Sequence, residues 1–254
     1  MKSIALITGA TSGIGKATAL ELAKLNYRLI ITGRRADRLR ELASMIENQY
    51  NTEVYPLEFD IRSRDATEKA WESLPDDLKQ VDVLINNAGL AAGLDHIHTG
   101  NPDDWDQMID TNVRGILNIS RLVIPQMVER HKGHIINISS IAGKETYEKG
   151  AVYCASKHAV EALTKGMRID LLPYGIKVSS VSPGMVETEF SKVRFKGDAE
   201  KAAAVYKGLQ PLVAEDIAQT IVFILTRPSH VCINDIVVMP TAQASAFYTY
   251  RENK

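Results

Sequence analysis

A strand-like segment that runs through a glycine-rich turn straight into a helical pattern opens this chain and restricts the folds it can adopt. Residues 3–8 are typical of a buried strand, and an amphipathic stretch follows the turn as far as Leu25. Glycine permits positive φ and close backbone approach, and the free N–H groups of a new helix attract an anion such as pyrophosphate. The glycine spacing is G-x-x-x-G-x-G rather than the standard G-x-G-x-x-G, and a tight turn without a ligand is the alternative for an isolated match. The predicted nucleotide-binding residues are Gly9, Thr11, Ser12, Gly13, Ile14 and Gly15.

The alternation of strand-like and helix-like segments continues along the whole chain. Further strand-like segments at residues 29–33, 54–60, 81–86, 133–140, 177–182 and 233–239 separate helical patterns. Such alternation predicts an α/β fold with a parallel, doubly wound sheet. With 254 residues and 45% hydrophobic content, the chain can bury roughly 70–75% of its unfolded surface in one domain over residues 1–254. A charged segment at 188–212 follows a predicted strand end and is either a substrate lid or an ordinary surface insertion.

Composition limits the partners of the chain. A net charge of −1, with acids and bases interspersed, favours neither nucleic acid nor an anionic membrane. No apolar run approaches the roughly 18 residues of a membrane span, and the first strand leaves no room for a signal peptide. Cys154 and Cys232 are the two cysteines, which suits a reducing compartment. His96 and His98 have no cysteine or acidic cluster to complete a metal set. We therefore predict a cytoplasmic protein that acts on a small molecule, without a metal, nucleic acid or a membrane.

Tyr153 and Lys157 are four residues apart on a helix predicted to start near Val152. This spacing places both side chains on one helix face, about 5–6 Å apart. An adjacent cation lowers the pKa of a phenol from about 10, which makes it a usable acid or base. Ser140 ends a predicted strand, at the edge where open α/β sheets bind ligands. The three residues together suit hydride chemistry on a carbonyl, whereas the Tyr–Lys pair alone would more often be an exposed face with a snorkelling lysine.

Two arginines follow the second predicted strand, where an NAD site would carry an acidic residue for the ribose 2′-hydroxyl. Arg34 and Arg35 instead suit the 2′-phosphate of NADP. The alternative is two solvated arginines at the start of a charged helix, since arginine is mostly exposed in proteins. Asp37 lies nearby but falls in the first turn of that helix, where a carboxylate is expected as a cap.

Two long helical patterns, at residues 104–130 and 152–172, carry apolar side chains on more than one face. Those of the first include Met108, Ile109, Val113, Ile116, Leu117, Ile119, Leu122 and Val123. Helices that are apolar nearly all round are buried on both sides, so one side can face the sheet and the other a partner subunit. We expect a homo-oligomer, either a dimer or a homotetramer, and we expect Pro125 to kink or locally break the first helix.

In order along almost the whole chain, seven segments resemble the short-chain dehydrogenase/reductase family. They are Thr8 to Gly15, Asp60-Ile61, Asn86 to Gly89, Asn112, Ser140, Tyr153-x-x-x-Lys157 and Pro183-Gly184. The resemblance implies a Rossmann-type fold, a nicotinamide cofactor and a catalytic tetrad of Asn112, Ser140, Tyr153 and Lys157. It also implies that Asp60 and Ile61 contact the adenine and that Asn87 and Ala88 contact the adenosine side. The nicotinamide would be contacted by Pro183, Gly184, Val186 and Thr188.

The resemblance further implies a role for each member of the tetrad. Tyr153 exchanges a proton with the substrate oxygen while hydride moves at the nicotinamide carbon. Lys157 lowers the pKa of Tyr153 and holds the nicotinamide ribose. Ser140 orients the substrate oxygen, and Asn112 anchors a water that leads protons to Lys157.

Within the family, the segments at residues 32–35, 86–93, 108–112 and 183–197 are most similar to the NADP-dependent 3-hydroxy acid dehydrogenases that also oxidise serine and allo-threonine. A buried substrate carboxylate needs a cation or several N–H donors. Arg194, in the predicted lid, offers bidentate geometry for a carboxylate, and a solvated loop arginine is the alternative. Two other functions stay open: a reductase of 3-oxoacyl thioesters, sugars or steroids, and a catalytically silent nucleotide-sensing protein.

Overall fold

The computed structural model describes residues 2–252 and arranges seven strands of that range in one sheet. The strands are β1 (Ile4–Ile7), β2 (Arg28–Gly33), β3 (Val54–Glu58), β4 (Val83–Asn86), β5 (His134–Ile138), β6 (Lys177–Pro183) and β7 (Asp235–Val238). Their order is β3-β2-β1-β4-β5-β6-β7, and each neighbouring pair is parallel. The winding direction reverses at β1, which pairs with β2 on one side and β4 on the other. Such a reversal leaves a crevice at the carboxyl ends of the strands, and the predicted doubly wound α/β fold is confirmed.

Helices connect the strands and cover both faces of the sheet. They are α1 (Gly13–Lys24), α2 (Ala36–Tyr50), α3 (Arg64–Glu72), α4 (Pro102–Ile109), α5 (Gly115–Arg130), α6 (Ala151–Leu171), α7 (Phe190–Arg194), α8 (Ala199–Ala204) and α9 (Ala214–Leu225). The period of two along β1 divides the core: Ala5 and Ile7 pack with residues of α1, α2 and α9, whereas Ile4 and Leu6 pack with residues of α3 and α5.

The helix predicted over residues 104–130 is interrupted, but not at its proline. α4 begins at Pro102, where the Asn101 side chain accepts a hydrogen bond from the Asp103 N–H. A π-helical turn over Asp110–Arg114 then separates α4 from α5. Pro125 lies inside α5, which continues to Arg130, so the predicted break at Pro125 is wrong. A proline removes one helical hydrogen bond, and the tertiary packing of α5 against the sheet holds the helix together despite that loss.

The predicted lid segment projects from the carboxyl edge of the sheet and returns to the same edge. Val186 and Leu212 form an isolated parallel bridge, so the segment leaves and returns at one point. α7 and α8 lie between these two residues. Within residues 2–252, no helix combines the length and the apolar character needed to cross a bilayer.

Candidate active site

The glycine-rich turn is fastened to the end of β4. Gly9 and Gly13 have φ values of 67° and 52°, which other residues rarely adopt. The Asn87 side-chain amide donates a hydrogen bond to the Gly9 carbonyl at 3.1 Å. A Cβ on Gly15 would lie 2.5 Å from both the Asn87 amide nitrogen and the Gly9 carbonyl oxygen. The close approach of turn and helix therefore requires glycine at position 15, and it leaves the start of α1 facing the crevice.

A cleft of about 630 Å³ opens at this edge of the sheet. The predicted site residues that line it are Gly9, Thr11, Ser12, Gly13, Ile14, Arg34, Arg35, Asp60, Ile61, Asn87, Ala88, Ser140, Tyr153, Lys157, Pro183, Gly184, Val186, Thr188 and Arg194. Gly15 and Asn112 are absent from the lining, because both lie buried behind it. The structure thus brings residues from widely separated parts of the sequence to one cavity.

Arg35 links the glycine-rich turn to the lid segment. Its Nη2 donates to Thr11 Oγ1 at 2.6 Å and to Ser12 Oγ at 2.9 Å, and its Nη1 lies 2.9 Å from Glu189 Oε2. Arg38 reaches the other oxygen of Glu189 at 2.8 Å. The hydrogen bond from Arg35, reinforced by Arg38, lowers the pKa of Glu189 to about 2. Neither Arg38 nor Glu189 could be identified from the sequence, because their contact joins segments about 150 residues apart.

Arg34 and Asp60 stand next to this cluster and line the same cleft. Asp60 accepts a hydrogen bond from Arg62 Nη2 at 2.6 Å. That bond, with a smaller contribution from the charge of Arg34, lowers the pKa of the Asp60 carboxyl. Asp60 is therefore a fixed carboxylate on the cleft wall, and Arg34 contributes a cation beside it.

Tyr153, Lys157 and Ser140 meet at the inner end of the cleft. Tyr153 lies in the first turn of α6, and Lys157 lies one turn later on the same face. The Lys157 ammonium donates to the Ile138 carbonyl at the end of β5, at 2.9 Å. The Ser140 hydroxyl accepts from the Ala142 N–H at 3.1 Å. Tyr153 and Lys157 are only 7% and 5% exposed, so the pair is not an exposed helix face with a snorkelling lysine.

Burial decides the protonation of both groups. It raises the pKa of Tyr153, while the hydrogen bond to Ser140 and the charge of Arg194 act weakly in the opposite direction. It lowers the pKa of Lys157 to about 8, against the charge of Glu161. The expected lowering of the Tyr153 pKa by Lys157 is therefore not found. The physical reason is that full burial can shift a pKa by 3–5 units, roughly, which outweighs one neighbouring charge.

Asn112 lies in the π-helical turn and is fully buried. Its Oδ1 accepts from the Leu90 N–H at 2.8 Å, and its Nδ2 donates to the Leu90 carbonyl and to Ser156 Oγ, both at 2.9 Å. A Cβ on Gly89 would lie 3.3 Å from both Asn112 Oδ1 and Lys157 Nζ. Asn112 therefore holds the loop after β4 against the catalytic end of α6.

Arg194, the last residue of α7, lies over the end of the cleft that contains Tyr153. Its Nη2 donates to the Tyr147 hydroxyl at 3.0 Å, and its Nε donates to the Gly93 carbonyl at 3.2 Å. Its guanidinium carbon is 5.6 Å from the ring centre of Tyr147 and 5.7 Å from that of Tyr153. Arg194 is thus half-buried and hydrogen-bonded to the residues around it. The part played by Tyr147 was missed, because a single tyrosine in a loop carries no sequence pattern.

The two predicted loop histidines do not line the cleft, although His96 approaches Glu148, which does. His96 and His98 stack with ring centres 5.6 Å apart, and His96 Nε2 is 3.6 Å from Glu148. Over the described range 2–252, no group of three or more His, Cys, Asp or Glu residues is placed to hold a metal ion.

Comparison with known proteins connects the site to a family. A family model described as short chain dehydrogenase matches residues 3–199. The chain is 46% identical over 248 residues to the NADP-dependent 3-hydroxy acid dehydrogenase of Schizosaccharomyces pombe, which covers 97% of this chain and 96% of that protein. It is 42% identical to the serine 3-dehydrogenase of Agrobacterium fabrum over 254 residues and 100% of both chains. Among solved structures, the closed form of a serine dehydrogenase complexed with NADP+ has a TM-score of 0.91, 40% identity, and coverage of 98% of this chain and 100% of that one.

Proposed function

Since this chain belongs to the short-chain dehydrogenase family, we propose that it is an NADP-dependent dehydrogenase of small 3-hydroxy acids. The resemblance found in its motifs is confirmed, and the protein is an oxidoreductase that acts on hydroxyl groups. The proposed reaction transfers hydride between the nicotinamide and carbon 3 of substrates such as serine, allo-threonine and 3-hydroxypropionate.

The residues of the cleft fit NADP in two respects. The close packing at Gly9, Gly13 and Gly15 leaves no room for side chains where a pyrophosphate would approach the start of α1. Arg34 and Arg35 supply cations where the sheet would receive the ribose, and such cations suit a 2′-phosphate. The other proposed cofactor-binding residues line the same cavity, from Asp60 and Ile61 to Pro183 and Thr188.

The chemistry follows from the inner end of the cleft. When bound, the nicotinamide accepts hydride from carbon 3 in oxidation and returns it in reduction. Tyr153 takes the hydroxyl proton in oxidation and gives it back to the carbonyl oxygen in reduction, while Ser140 holds that oxygen. Lys157 would hold the nicotinamide ribose, and while charged it would favour the phenolate that forms transiently on Tyr153 in oxidation, even though burial governs the pKa of the resting phenol. Asn112 supports this pair through its bonds to Leu90 and Ser156, and a water relay at Asn112 stays a prediction.

The proposal of an acidic substrate rests on the position of Arg194, which lies over the rings of Tyr147 and Tyr153. A guanidinium at this place can donate two hydrogen bonds to a substrate carboxylate while the adjacent substrate hydroxyl faces Tyr153. A steroid or sugar reductase would not need such a cation beside the phenol.

The experiment compares Arg194→Ala with wild type on a panel of serine, 3-hydroxypropionate and uncharged alcohols, followed by nicotinamide absorbance. Loss of a charge-assisted bond of about 1.5–3 kcal/mol should raise KM for the acids roughly tenfold or more. KM for uncharged alcohols and for NADP should change little. Lys196→Ala is the matched control, because Lys196 pairs with Asp104 at 2.9 Å. Equal effects on charged and uncharged substrates would point to lid closure instead, and wild-type activity on steroids, sugars or 3-oxoacyl thioesters alone would overturn the substrate class.

We also propose that copies of the chain associate through apolar side chains left exposed on α5 and α6. Leu117 on α5 is 44% exposed and Ile169 on α6 is 72% exposed. A dimer or homotetramer would cover them, and light scattering during gel filtration tests this. The cytoplasmic location stays a prediction from composition, and the lid role of residues 188–212 is supported by their position over the cleft.

A further inference from the structure

A buried carboxylate, that of Glu161, lies one helical turn beyond Lys157 of the proposed proton-transfer pair. Glu161 follows Lys157 by four residues on α6, so the two side chains share a helix face. Glu161 is 6% exposed. Its Oε1 accepts from Ser180 Oγ at 2.8 Å and from Ser182 Oγ at 3.0 Å, both on β6. The reaction described above makes no use of this group, and a buried charge is costly unless it is paired.

The partner of Glu161 is itself shared. Lys144 Nζ lies 2.6 Å from Glu161 Oε2 and also binds the carboxylate of Asp235 at the start of β7. Two carboxylates and one ammonium leave this cluster with one net negative charge. Glu161 is the most buried of the three, because Asp235 has a side chain 43% exposed and Lys144 one 22% exposed. Burial opposes the charge on Glu161, but hydrogen bonds from Lys144 and Ser180 keep its pKa below the usual range.

Lys157 needs such a charge. Its ammonium is buried, and among the described residues it donates a hydrogen bond to a neutral acceptor, the carbonyl of Ile138. Gly143 packs against both residues, since a Cβ there would be 2.8 Å from the Lys157 backbone carbonyl and 3.1 Å from Glu161 Cγ. We propose that Glu161 is a positioning residue of the reaction, which keeps Lys157 in its charged form, and that Lys144 and Asp235 set how strongly it does so.

The other ionisable groups packed at this end of α6 are Tyr147, Tyr153, Cys154, His158 and Arg194. Arg194 acts on the two tyrosines and on Cys154. His158 hydrogen-bonds the Cys154 carbonyl on its own helix. The charge that raises the pKa of Lys157 is that of Glu161. The inference rests on the proposed role of Lys157, and a test must separate the two.

The test exploits the signs of the three charges. Glu161→Gln removes a negative charge, so Lys157 should lose its proton at a lower pH, by roughly one unit or more. Asp235→Asn should give a shift in the same direction but smaller. Lys144→Gln removes the opposing positive charge and should move the titration of Lys157 to higher pH. Glu161→Asp keeps the charge and should restore most of the wild-type profile.

Two readouts are measured across pH for the purified, folded variants: the alkaline limb of kcat/KM and the dissociation constant of NADPH from its fluorescence. Opposite shifts in Glu161→Gln and Lys144→Gln support the inference. If both variants lose activity and neither pH profile moves, the inference is refuted and the cluster has only a structural role. If Glu161→Gln does not fold, the directions of the pH shifts in Lys144→Gln and Asp235→Asn decide whether the inference holds. Wild type without activity on hydroxy acids would refute the proposed function, while the NADPH titration would still test Glu161.

Discussion

The contact of Arg35 and Arg38 with Glu189 leads to a pair of opposite predictions on cofactor choice. The 2′-phosphate distinguishes NADP from NAD, and Arg35 is expected to bind it. Arg35→Ala removes a charge-assisted hydrogen bond worth about 1.5–3 kcal/mol. Its side chain is 41% exposed, so solvent screening favours the lower end, a loss of about tenfold in NADPH affinity. NADH lacks the phosphate and should bind almost as it does to wild type. Arg34→Ala should likewise weaken the binding of NADPH more than that of NADH.

Glu189→Gln should act in the opposite direction. Its carboxylate is 40% exposed and pairs with Arg38 and with Arg35, the second of which is proposed to bind the phosphate. Exposed ion pairs contribute about 0.2–1 kcal/mol, so removing the competing carboxylate should tighten NADPH binding roughly twofold to fivefold. Arg40→Ala is the matched control, because Arg40 pairs with the exposed Asp37 on the same helix.

Fluorescence titration of the purified variants with NADPH and NADH measures both effects. Parallel losses for the two cofactors in Arg35→Ala would refute the assignment, because they would mean that Arg35 supports the turn rather than the phosphate. Weaker NADPH binding in Glu189→Gln would contradict the competition between carboxylate and phosphate.

Two further predictions follow from buried groups. Tyr153→Phe keeps the ring but removes the transferable proton, so kcat should fall roughly 10²–10⁴-fold with NADPH affinity retained, and near-wild-type kcat would contradict its role. His134 is 5% exposed, and burial lowers its pKa from 6.5 to about 3. Below pH 6.5 the unfolded chain therefore protonates this histidine, whereas the folded protein keeps it neutral. The contribution of neutral His134 to the free energy of unfolding is therefore fully present above pH 6.5, and about 2 kcal/mol of that contribution should be lost by pH 5. His134→Gln should flatten the fall of Tm between pH 7 and pH 5, and an unchanged slope would contradict this.

Features that depend on local periodicity could be predicted from the sequence. The strand, glycine turn and helix at the start of the chain need only a few neighbouring residues, and the facing of Tyr153 and Lys157 needs only helical geometry. The boundaries moved by a few residues, as at β5, which is shorter at both ends than residues 133–140. Helix and strand ends depend on the last hydrogen bonds, which periodicity does not determine.

Features that depend on distant contacts could not be predicted. The π-helical turn that carries Asn112 is stabilised where its side chain meets the loop at Leu90, and no local pattern indicates that partner. The contact between Arg194 and Tyr147 joins a lid helix to a loop 47 positions earlier. The phenol pKa was predicted in the wrong direction for the same reason, because the spacing to Lys157 is visible in the sequence but the depth of burial is not.

Burial of Tyr153 and Lys157 also determines whether oxidation or reduction depends more on a stabilising charge. At neutral pH, Tyr153 holds its proton, because desolvation raises its pKa. That is the form required to protonate a carbonyl in reduction, whereas oxidation requires a phenolate in a site that disfavours it. Lys157 can stabilise the phenolate only while it is charged, and burial brings its pKa to about 8. Raising the pH thus favours the Tyr153 phenolate. Near pH 8, however, it also removes the charge of Lys157 that stabilises the phenolate. A fixed negative charge near Lys157 would widen the pH range in which both conditions hold, and Glu161, one helical turn further along α6, is proposed to supply it.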